Sequence, residues 1–271
     1  MKKERVDVLA HQQGLFETRE QAKRGVMAGL VYTEKNERLD KPGEKIASDT
    51  TLQTKGQKLP YVSRGGLKLE KALKQFAFTV TDKIMLDIGS STGGFTDAAL
   101  QNGAKLSYAL DVGYNQLAWK IRQDPRVVVM ERTNFRYAKP EDFKDGTPQV
   151  ATIDVSFISL KLILPPLHAI LADGGDVIAL IKPQFEAGKE AVGKNGIVRN
   201  PETHQNVLTE ITNFAIKQNY QVEELSYSPI TGGEGNIEFL VHLKKVAQTG
   251  ELAKNVDISA VVEQAHQQLY K

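Results

Sequence analysis

The stretch MLDIGSSTGGFT, residues 85–96, decides the fold of this chain. Apolar residues run from Met85 to Ile88 with one acid among them, and this run predicts a buried strand. The glycines that follow predict a tight loop, after which Phe95 and Thr96 open a helix. Such a loop lets a ligand approach the backbone closely, and the start of the helix offers unpaired N–H donors. The stretch therefore predicts a ligand site at the carboxyl end of a strand in an α/β fold.

The spacing of the glycines narrows the choice of ligand. They stand at positions 89, 93 and 94, whereas a dinucleotide-binding loop follows G-x-G-x-x-G and a P-loop follows G-x-x-x-x-G-K-S/T. Asp87 lies at the strand end, where its charge repels a pyrophosphate and favours a cationic or amine-bearing ligand. Asp111 ends the next predicted strand, where a carboxylate accepts hydrogen bonds from ribose hydroxyls. A purely structural loop and a solvent-exposed Asp111 are the alternatives.

Strands and helices alternate from residue 63 onward. Apolar runs predict strands at 84–88, 106–110, 126–130, 150–154, 176–181, 221–227 and 237–243. Helical patterns lie between them, at 66–76, 95–102, 114–122, 159–172 and 201–218. A last amphipathic helix, capped by Asp257, is predicted within residues 255–271. This alternation predicts a mostly parallel seven-stranded sheet with helices on both faces.

Composition excludes several classes of protein. The 271 residues are enough for two domains. The chain contains no cysteine, so disulfides and thiolate metal sites are excluded, and no group of acids and histidines has metal-ligand spacing. No run approaches the roughly 18 apolar residues of a membrane helix, and the basic start lacks the apolar stretch of a signal peptide. We therefore expect a cytoplasmic protein that binds neither metal nor membrane.

Residues 1–58 carry the positive excess of the chain, with 12 Lys and Arg against 9 Asp and Glu, whereas the remainder holds 23 against 24. Helices are predicted from Val6 to Gly14 and, after a Thr18 cap, from Glu20 to Ala28. Strands are predicted at 30–32 and 46–52. A small α/β domain whose basic helix is merely solvated is one interpretation of this segment.

The ordered motifs of this segment resemble the S4 RNA-binding domain. They are RVD at 5–7, GL at 14–15, TREQA at 18–22, GLV at 29–31 and KPG at 41–43. The usual Asn-Gly of the family's hairpin is replaced here by Asn36-Glu37. The resemblance implies RNA contacts from Arg5, Arg19, Lys23, Arg24 and Lys41. We predict an S4-like domain at 1–58, a linker at 59–62 and a catalytic domain at 63–271.

Four further motifs stand at the ends of predicted elements. SRGGLKL at 63–69 opens a helix, IDVSF at 153–157 and LIKPQFE at 180–186 end strands, and NIEF at 236–239 opens the last strand. Together with the loop at 87–95, they resemble the FtsJ-like methyltransferases and, within them, the TlyA group, which joins an S4 domain to such a core. The resemblance covers essentially the whole chain. It implies a Rossmann-like class I methyltransferase core that uses S-adenosylmethionine and acts on ribosomal RNA or ribosomal subunits.

The resemblance also implies a role for individual residues. The Lys-Asp-Lys-Glu tetrad of the family falls on Lys68, Asp154, Lys182 and Glu238. Cofactor contacts fall on Asp87, Gly89, Ser91, Gly93, Gly94, Phe95, Asp111, Asn134, Phe135 and Asp154, with Asn134 and Phe135 at the adenine ring. Ser63 and Arg64 join the predicted RNA-binding residues.

The tetrad suits methyl transfer to a ribose 2′-hydroxyl. The hydroxyl is a weak acid that loses its proton as it attacks, so the base must be neutral near pH 7. A lysine serves only if burial or a neighbouring cation lowers its pKa. We expect Lys182 to be the base or to orient the hydroxyl, positioned by Asp154, while Lys68 and Glu238 orient the ribose. Taken singly, each of these residues could be a solvated charge.

Three other functions compete with this one. A hemolysin, a label often given to this group, needs a membrane span or a lytic helix, which the sequence does not show. The complete tetrad disfavours a non-catalytic RNA-binding scaffold. Base-amine methylation is disfavoured because DVSF at 154–157 replaces the Asn/Asp-Pro-Pro-Tyr loop of such enzymes. We expect a monomer that methylates cytidine ribose in large-subunit rRNA, with small-subunit rRNA left open.

Overall fold

The computed structural model describes residues 3–27, 29–55, 59–232 and 235–270. The chain divides into two compact units, Met1–Lys58 and Leu59–Lys271. The predicted linker at 59–62 packs on the second unit, because Tyr61 is buried in an apolar cluster and the Val62 N–H donates to Asp97. Gly and Pro in the preceding residues favoured a linker, but the aromatic ring of Tyr61 anchors this segment.

The first unit is a small α/β structure. Its elements are β1 (Lys3–Arg5), α1 (Val6–Gln12), α2 (Arg19–Met27), β2 (Val31–Thr33), β3 (Arg38–Leu39), β4 (Lys45–Ala47) and β5 (Leu52–Thr54). β1 pairs with β4, and β2 lies between β3 and β5, all antiparallel. The predicted single strand at 46–52 is wrong, because a turn closed from the Thr50 N–H to the Ala47 carbonyl separates β4 from β5. Ala28, the predicted end of the second helix, lies outside the described residues.

The second unit alternates strands and helices. Its strands are β6 (Ile84–Ile88), β7 (Leu106–Leu110), β8 (Val127–Met130), β9 (Val150–Ile153), β10 (Asp176–Ile181), β11 (Tyr220–Tyr227) and β12 (Phe239–Lys245). Its helices are α3 (Gly65–Gln75), α4 (Gly94–Gln101), α5 (Trp119–Arg122), α6 (Leu164–Ile170), α7 (Pro183–Glu186), α8 (Pro201–Lys217) and α9 (Ile258–Leu269). The Asp257 side chain caps α9 as predicted, accepting from the Ala260 N–H at 3.0 Å.

The seven strands form one sheet in the order β11-β12-β10-β9-β6-β7-β8. Neighbours from β10 to β8 are parallel, and β12 runs antiparallel to both of its neighbours. Successive residues of β6 pack into different apolar clusters, Met85 into one and Leu86 into the other, so both faces are buried. The predicted Rossmann-like, mostly parallel sheet is confirmed.

Two predicted helices are shorter than their sequence patterns. The segment at 114–122 is helical only from Trp119, since Asn115 has a positive φ of 56°. The segment at 159–172 begins with a single 3₁₀ turn at Leu160–Leu162 before α6 starts at Leu164. Pro165 and Pro166 lack the N–H that would bond back into a preceding helical turn, so α6 starts just ahead of them.

The order of the strands fixes where a site can form. From β6 the chain continues outward to β7 and β8, and it then returns to add β9 on the other side of β6. The loops after β6 and β9 therefore diverge, leaving a crevice at the carboxyl ends of these strands. The glycine loop that follows β6 lies at this crevice.

Candidate active site

Strand direction brings three distant charged residues to one edge of the sheet. Asp154 follows β9 and Lys182 follows β10, so both lie at the carboxyl ends of adjacent parallel strands. Glu238 precedes β12, which runs the other way, and the pairing of Ile181 with Phe239 puts Glu238 beside Lys182. The second turn of α3 adds Lys68.

The four side chains form one chain of ion pairs. The Lys68 ammonium lies 2.8 Å from Glu238 Oε2 and 3.2 Å from Asp154 Oδ2. Lys182 Nζ lies 2.5 Å from Asp154 Oδ1 and 3.3 Å from the Ser156 hydroxyl. Asp154 therefore bridges the two lysines, one to each carboxylate oxygen. The structure brings all four predicted catalytic residues together, and their formal charges balance.

Burial and ion pairing shift the pKa values of this cluster in opposite directions. Burial alone would lower the pKa of Lys68, but the carboxylates of Asp154 and Glu238 outweigh it and raise that pKa. Burial would raise the pKa of Asp154, but the ammonium groups of Lys68 and Lys182 outweigh it and lower that pKa. Lys68 is thus a protonated donor and Asp154 an ionised acceptor at neutral pH.

Asp87 does not reach the crevice. Its carboxylate is fully buried, where it accepts hydrogen bonds from the Thr96 N–H and hydroxyl and from the Thr152 hydroxyl. Burial raises the pKa of Asp87 to about 7, against the hydrogen bonds that lower it. Asp87 thus ties the start of α4 to β6 and β9, and the geometry does not support the predicted contact with an amine-bearing ligand.

The glycine loop is shaped by close backbone contacts. Gly89 and Gly93 have φ of 85° and 93°, which favour glycine. A Cβ on Gly94 would lie 2.2 Å from the Ser63 hydroxyl, so this glycine lets the segment before α3 approach α4. The Asp111 carboxylate accepts from the Ser91 N–H at 2.8 Å and from the Gly113 N–H at 2.7 Å. Asp111 therefore holds the loop against the end of β7.

The predicted adenine contacts lie after β8. The Asn134 side chain caps a 3₁₀ turn by accepting from the Arg136 N–H at 3.2 Å. The Phe135 ring is buried in the main core, so any contact it makes with a ligand uses its backbone. Neither residue borders the cleft described next.

A cleft of about 690 Å³ opens at the tetrad and the glycine loop. Lining residues that were predicted for the site are Ser63, Arg64, Lys68, Gly89, Ser91, Gly94, Phe95, Asp154, Lys182 and Glu238. Residues missed by sequence reasoning include Phe157, Gln184 and Phe185. The Phe157 side chain is 91% exposed at a positive φ of 63°, and its ring centroid lies 5.0 Å from that of Phe185. Phe157 belongs to the motif IDVSF at 153–157, but that motif gave a role only to Asp154.

One wall of the cleft is a loop held by Asn236. The Asn236 side chain accepts from the Val198 N–H at 3.0 Å and donates to the Gly196 carbonyl at 2.9 Å. Gly196 and Asn195 line the cleft. Asn236 therefore joins the segment that follows α7 to the segment that carries Glu238.

The predicted RNA-binding residues of the first unit differ in their ion pairs. Arg5 and Arg19 both donate to the buried carboxylate of Asp7, at 2.9 and 3.1 Å. Arg24 lies 3.9 Å from Glu20. Lys23 and Lys41 are exposed, and neither forms an ion pair with the part of the chain that the structure describes. Asp7 thus holds two of the five cations, and two others face solvent.

The described ranges contain neither a membrane-spanning helix nor a cluster of metal ligands. No helix there is long and apolar enough to cross a membrane. No group of three or more His, Asp or Glu side chains there could hold a metal ion.

Sheet order, glycine loop and charged cleft together define a Rossmann-like methyltransferase. A family model described as FtsJ-like methyltransferase matches residues 61–245, and the chain belongs to this family. It is 64% identical over 270 residues to YqxC of Bacillus subtilis, a candidate rRNA methyltransferase by name, covering 99% of this chain and 96% of that one.

Two further comparisons extend this result. The chain is 38% identical to the 16S/23S rRNA (cytidine-2′-O)-methyltransferase TlyA of Mycobacterium tuberculosis, covering 93% of this chain and 94% of that one. A solved structure from Streptococcus thermophilus, titled as a candidate hemolysin, has a TM-score of 0.81 and 62% identity and covers 100% of this chain and 98% of that one.

Proposed function

We propose that this chain transfers the methyl group of S-adenosylmethionine to the 2′-hydroxyl of a cytidine ribose in ribosomal RNA. The observation that carries the proposal is the bridge from Lys68 through Asp154 to Lys182, completed by Glu238, in a cleft beside the glycine loop. The similarity to the rRNA (cytidine-2′-O)-methyltransferase of Mycobacterium tuberculosis supports the choice of substrate.

The residues around the glycine loop fit S-adenosylmethionine. Gly94 and Phe95 line the cleft at the start of α4, where helical N–H groups have no partner within the helix and suit a carboxylate. Asp154 keeps 18% of its side chain exposed, which suits a positively charged ligand atom. Asp111 stands at the end of β7, where ribose hydroxyls are bound in such folds. When bound, the cofactor supplies a methyl group activated by its sulfonium sulfur.

The tetrad residues would orient the hydroxyl and receive its proton. Lys68 remains protonated and donates to a ribose oxygen, fixed by Glu238. Asp154 holds both ammonium groups and so sets the distance between them. Lys182, with Ser156 beside it, orients the attacking hydroxyl through a hydrogen bond. It takes the proton of that hydroxyl only as the neutral amine, after its own ammonium proton has been released to solvent. Proton transfer of this kind contributes roughly 10²–10⁴-fold to a rate.

Basic and aromatic groups support RNA as the substrate. Arg64 is exposed at the N-terminus of α3 and lines the cleft, and Phe157 and Phe185 offer apolar rings to a base. Aromatic side chains stack on unpaired bases in RNA recognition. We assign the first unit to RNA binding through Lys23 and Lys41, as an S4-like domain. We also propose that the protein is cytoplasmic and monomeric.

The test is transfer of labelled methyl groups to separated ribosomal subunits from a strain that lacks the gene. Mass spectrometry then maps the modified nucleotide. We expect one or more ribose-methylated cytidines with the wild-type chain and with Lys254→Met, an exposed lysine outside the cleft. Lys182→Met should abolish them while cofactor binding persists. Full turnover of Lys182→Met at neutral pH contradicts the role given to Lys182.

Two other outcomes favour the competing functions. Cofactor binding without transfer to either subunit supports a non-catalytic scaffold. Haemolysis by a folded Lys182→Met variant at the wild-type level supports a membrane-active protein, whereas its loss assigns any haemolysis to the methylated product.

A further inference from the structure

Gln184 carries an unsatisfied polar atom in the cleft. Its side-chain oxygen Oε1 is buried, and within the described part of the chain it is the single buried side-chain nitrogen or oxygen without a hydrogen-bond partner. Buried polar groups nearly always have a partner, because desolvating one without replacing its bond to water is unfavourable. An exception at a substrate cleft points to a donor that arrives with the substrate and meets Oε1 as the Gln184 amide turns toward the cleft.

Gln184 stands close to the reacting groups along the chain. It lies in α7, two residues after Lys182 and directly before Phe185, and it lines the same cleft as the tetrad. The Phe157–Phe185 ring pair lines that cleft as well. Along the chain, Gln184 therefore stands between Lys182, the reacting lysine, and Phe185, whose ring belongs to the apolar stacking surface.

The chemistry of the substrate indicates which part meets this amide. The carbon that bears the 2′-hydroxyl is bonded to the carbon that bears the base, so a hydroxyl held at Lys182 keeps its base within the same cleft. Cytosine presents an exocyclic amine donor beside a ring-nitrogen acceptor. A glutamine amide, with one acceptor and two donors, complements that pair.

The adenine of the cofactor also presents an amine beside a ring acceptor, but the strand order separates it from Gln184. The residues predicted to hold the adenine, Asn134 and Phe135, follow β8 at one end of the sheet. Gln184 follows β10, with β7, β6 and β9 between them. The base of the substrate is therefore the better partner.

We propose that Gln184 determines base specificity, with its Oε1 accepting a hydrogen bond from the exocyclic amine of the target cytosine. This inference rests on the proposed function, because it presupposes a cytidine in the cleft. It assigns contact with the base to Gln184 and the chemistry of methyl transfer to the tetrad.

The test removes each side of the contact separately. An rRNA fragment carries either the target cytidine or its 4-deamino analogue, a pyrimidin-2-one riboside, and kcat/KM is measured for both RNAs. We expect the wild-type chain to lose about tenfold on the analogue, since its buried acceptor is left unpaired. Gln184→Met has a similar length but no hydrogen-bonding group, and should act equally on both RNAs.

Two further variants make the result specific. Gln184→Glu keeps an acceptor and should retain the preference for the amine-bearing base. Gln264→Met changes an exposed glutamine of α9, outside the cleft, and should behave as wild type. Thermal unfolding and cofactor binding show that each variant is folded.

The outcomes separate the two proposals. Equal wild-type rates on both RNAs, or a preference that survives in Gln184→Met, overturn the role of Gln184 and leave the methyltransferase function intact. Absence of transfer to the cytidine RNA by the wild-type chain overturns the proposed function, and with it the inference.

Discussion

Gly89 lies against the backbone of Asp154, so closely that a Cβ on Gly89 would stand 2.5 Å from the Asp154 carbonyl oxygen. The contact follows from the sheet, because β6 and β9 are adjacent and Ile88 pairs with Ile153. The glycine loop and the central carboxylate of the tetrad are thus held by one backbone contact.

This contact predicts the effect of Gly89→Ala. The added methyl group meets backbone, which cannot move aside, and the φ of 85° adds strain. We expect the free energy of unfolding to fall by about 2–4 kcal/mol and methyl transfer to be lost. Gly174→Ala is the matched control, since Gly174 has a φ of 69° but nothing within 4 Å of its added Cβ. Equal losses in urea denaturation of both variants would mean that backbone strain, and not the close contact, is responsible.

The ion pairs of the tetrad predict a partly compensating pair of substitutions. Lys68→Met leaves the buried Glu238 without its cation, which should lower the free energy of unfolding by about 3–5 kcal/mol. Adding Glu238→Gln removes the stranded charge, so the double variant should recover part of that loss although both forms lack activity. Chemical denaturation of the two single variants and the double variant measures the coupling. Additive losses contradict a direct interaction.

Two buried histidines predict pH dependences of opposite sign. His242 lies 3.0 Å from both Asp176 and Glu224; burial lowers its pKa, but these carboxylates outweigh burial and raise it. Since its folded pKa exceeds the unfolded value of about 6.5, its contribution is complete below pH 6.5 and is lost as pH rises through the folded pKa. The stability difference between wild type and His242→Gln should therefore shrink from pH 6 to pH 8.

His204 should behave in the opposite way. Burial, helped by neighbouring His266, lowers the pKa of His204 to about 4. The unfolded chain then binds more protons between pH 6.5 and 4, so about 3 kcal/mol of stability present at pH 7 is lost on acidification through this window. His204→Gln should remove this acid sensitivity. Unfolding curves from pH 4 to 8 test both histidines, and a variant whose slope equals that of wild type contradicts the assignment.

The proposed RNA-binding role of the first unit predicts different effects for its exposed lysines and for its paired arginines. Lys23→Ala and Lys41→Ala remove exposed cations, so each should weaken RNA binding and reduce the salt slope by about 1 without changing stability. Asp7→Asn instead weakens the ion pairs of Arg5 and Arg19 and should destabilise the first unit. Binding assays across salt concentrations and thermal unfolding distinguish the two effects. Unchanged RNA affinity in both lysine variants contradicts the assigned surface.

The exposed ring of Phe157 predicts a loss of activity without a loss of stability. Phe157→Ala removes a surface on which a base stacks, and we expect kcat/KM to fall about tenfold, since stacking contributes roughly 1–3 kcal/mol per base. Leu162→Ala changes another exposed apolar side chain, 50% exposed and outside the cleft, and should leave methyl transfer unchanged. A similar loss in both variants would indicate a nonspecific surface effect.

The apolar periodicity of the sequence predicted the sheet, and the resemblance to the FtsJ-like family named the four tetrad residues that the structure brings together. Buried parallel strands are continuous apolar runs, and Asp154 and Lys182 stand where such runs end. Their convergence with Glu238 needs only parallel neighbours and one reversed strand, β12, which begins directly after Glu238. The S4 assignment, the cytoplasmic location and the monomeric state stay predictions.

Tertiary contacts decided what the sequence did not predict. The position of Asp87 in its motif does not reveal which way its side chain points. In the fold its carboxylate accepts hydrogen bonds from Thr96 and Thr152 instead of facing a ligand. In the sequence, Arg5 and Arg19 are simply two positive charges. Only the fold shows that both form ion pairs with Asp7. Gln184 stands within the motif LIKPQFE, but the motif gave it no role, since an unpaired oxygen is visible only when every neighbour is placed.

The position of Glu238 just before the reversed strand makes it the last member of the tetrad to be synthesised. Glu238 follows Lys68 by 170 residues and enters with β12, which inserts between β10 and β11. Until residues 239–245 have left the ribosome, β10 stands as an open edge with unpaired backbone groups. A nascent or truncated chain that stops short of β12 therefore lacks both a closed sheet and Glu238. The last side chain of the tetrad and the strand that covers the edge of β10 thus leave the ribosome together, near the end of translation.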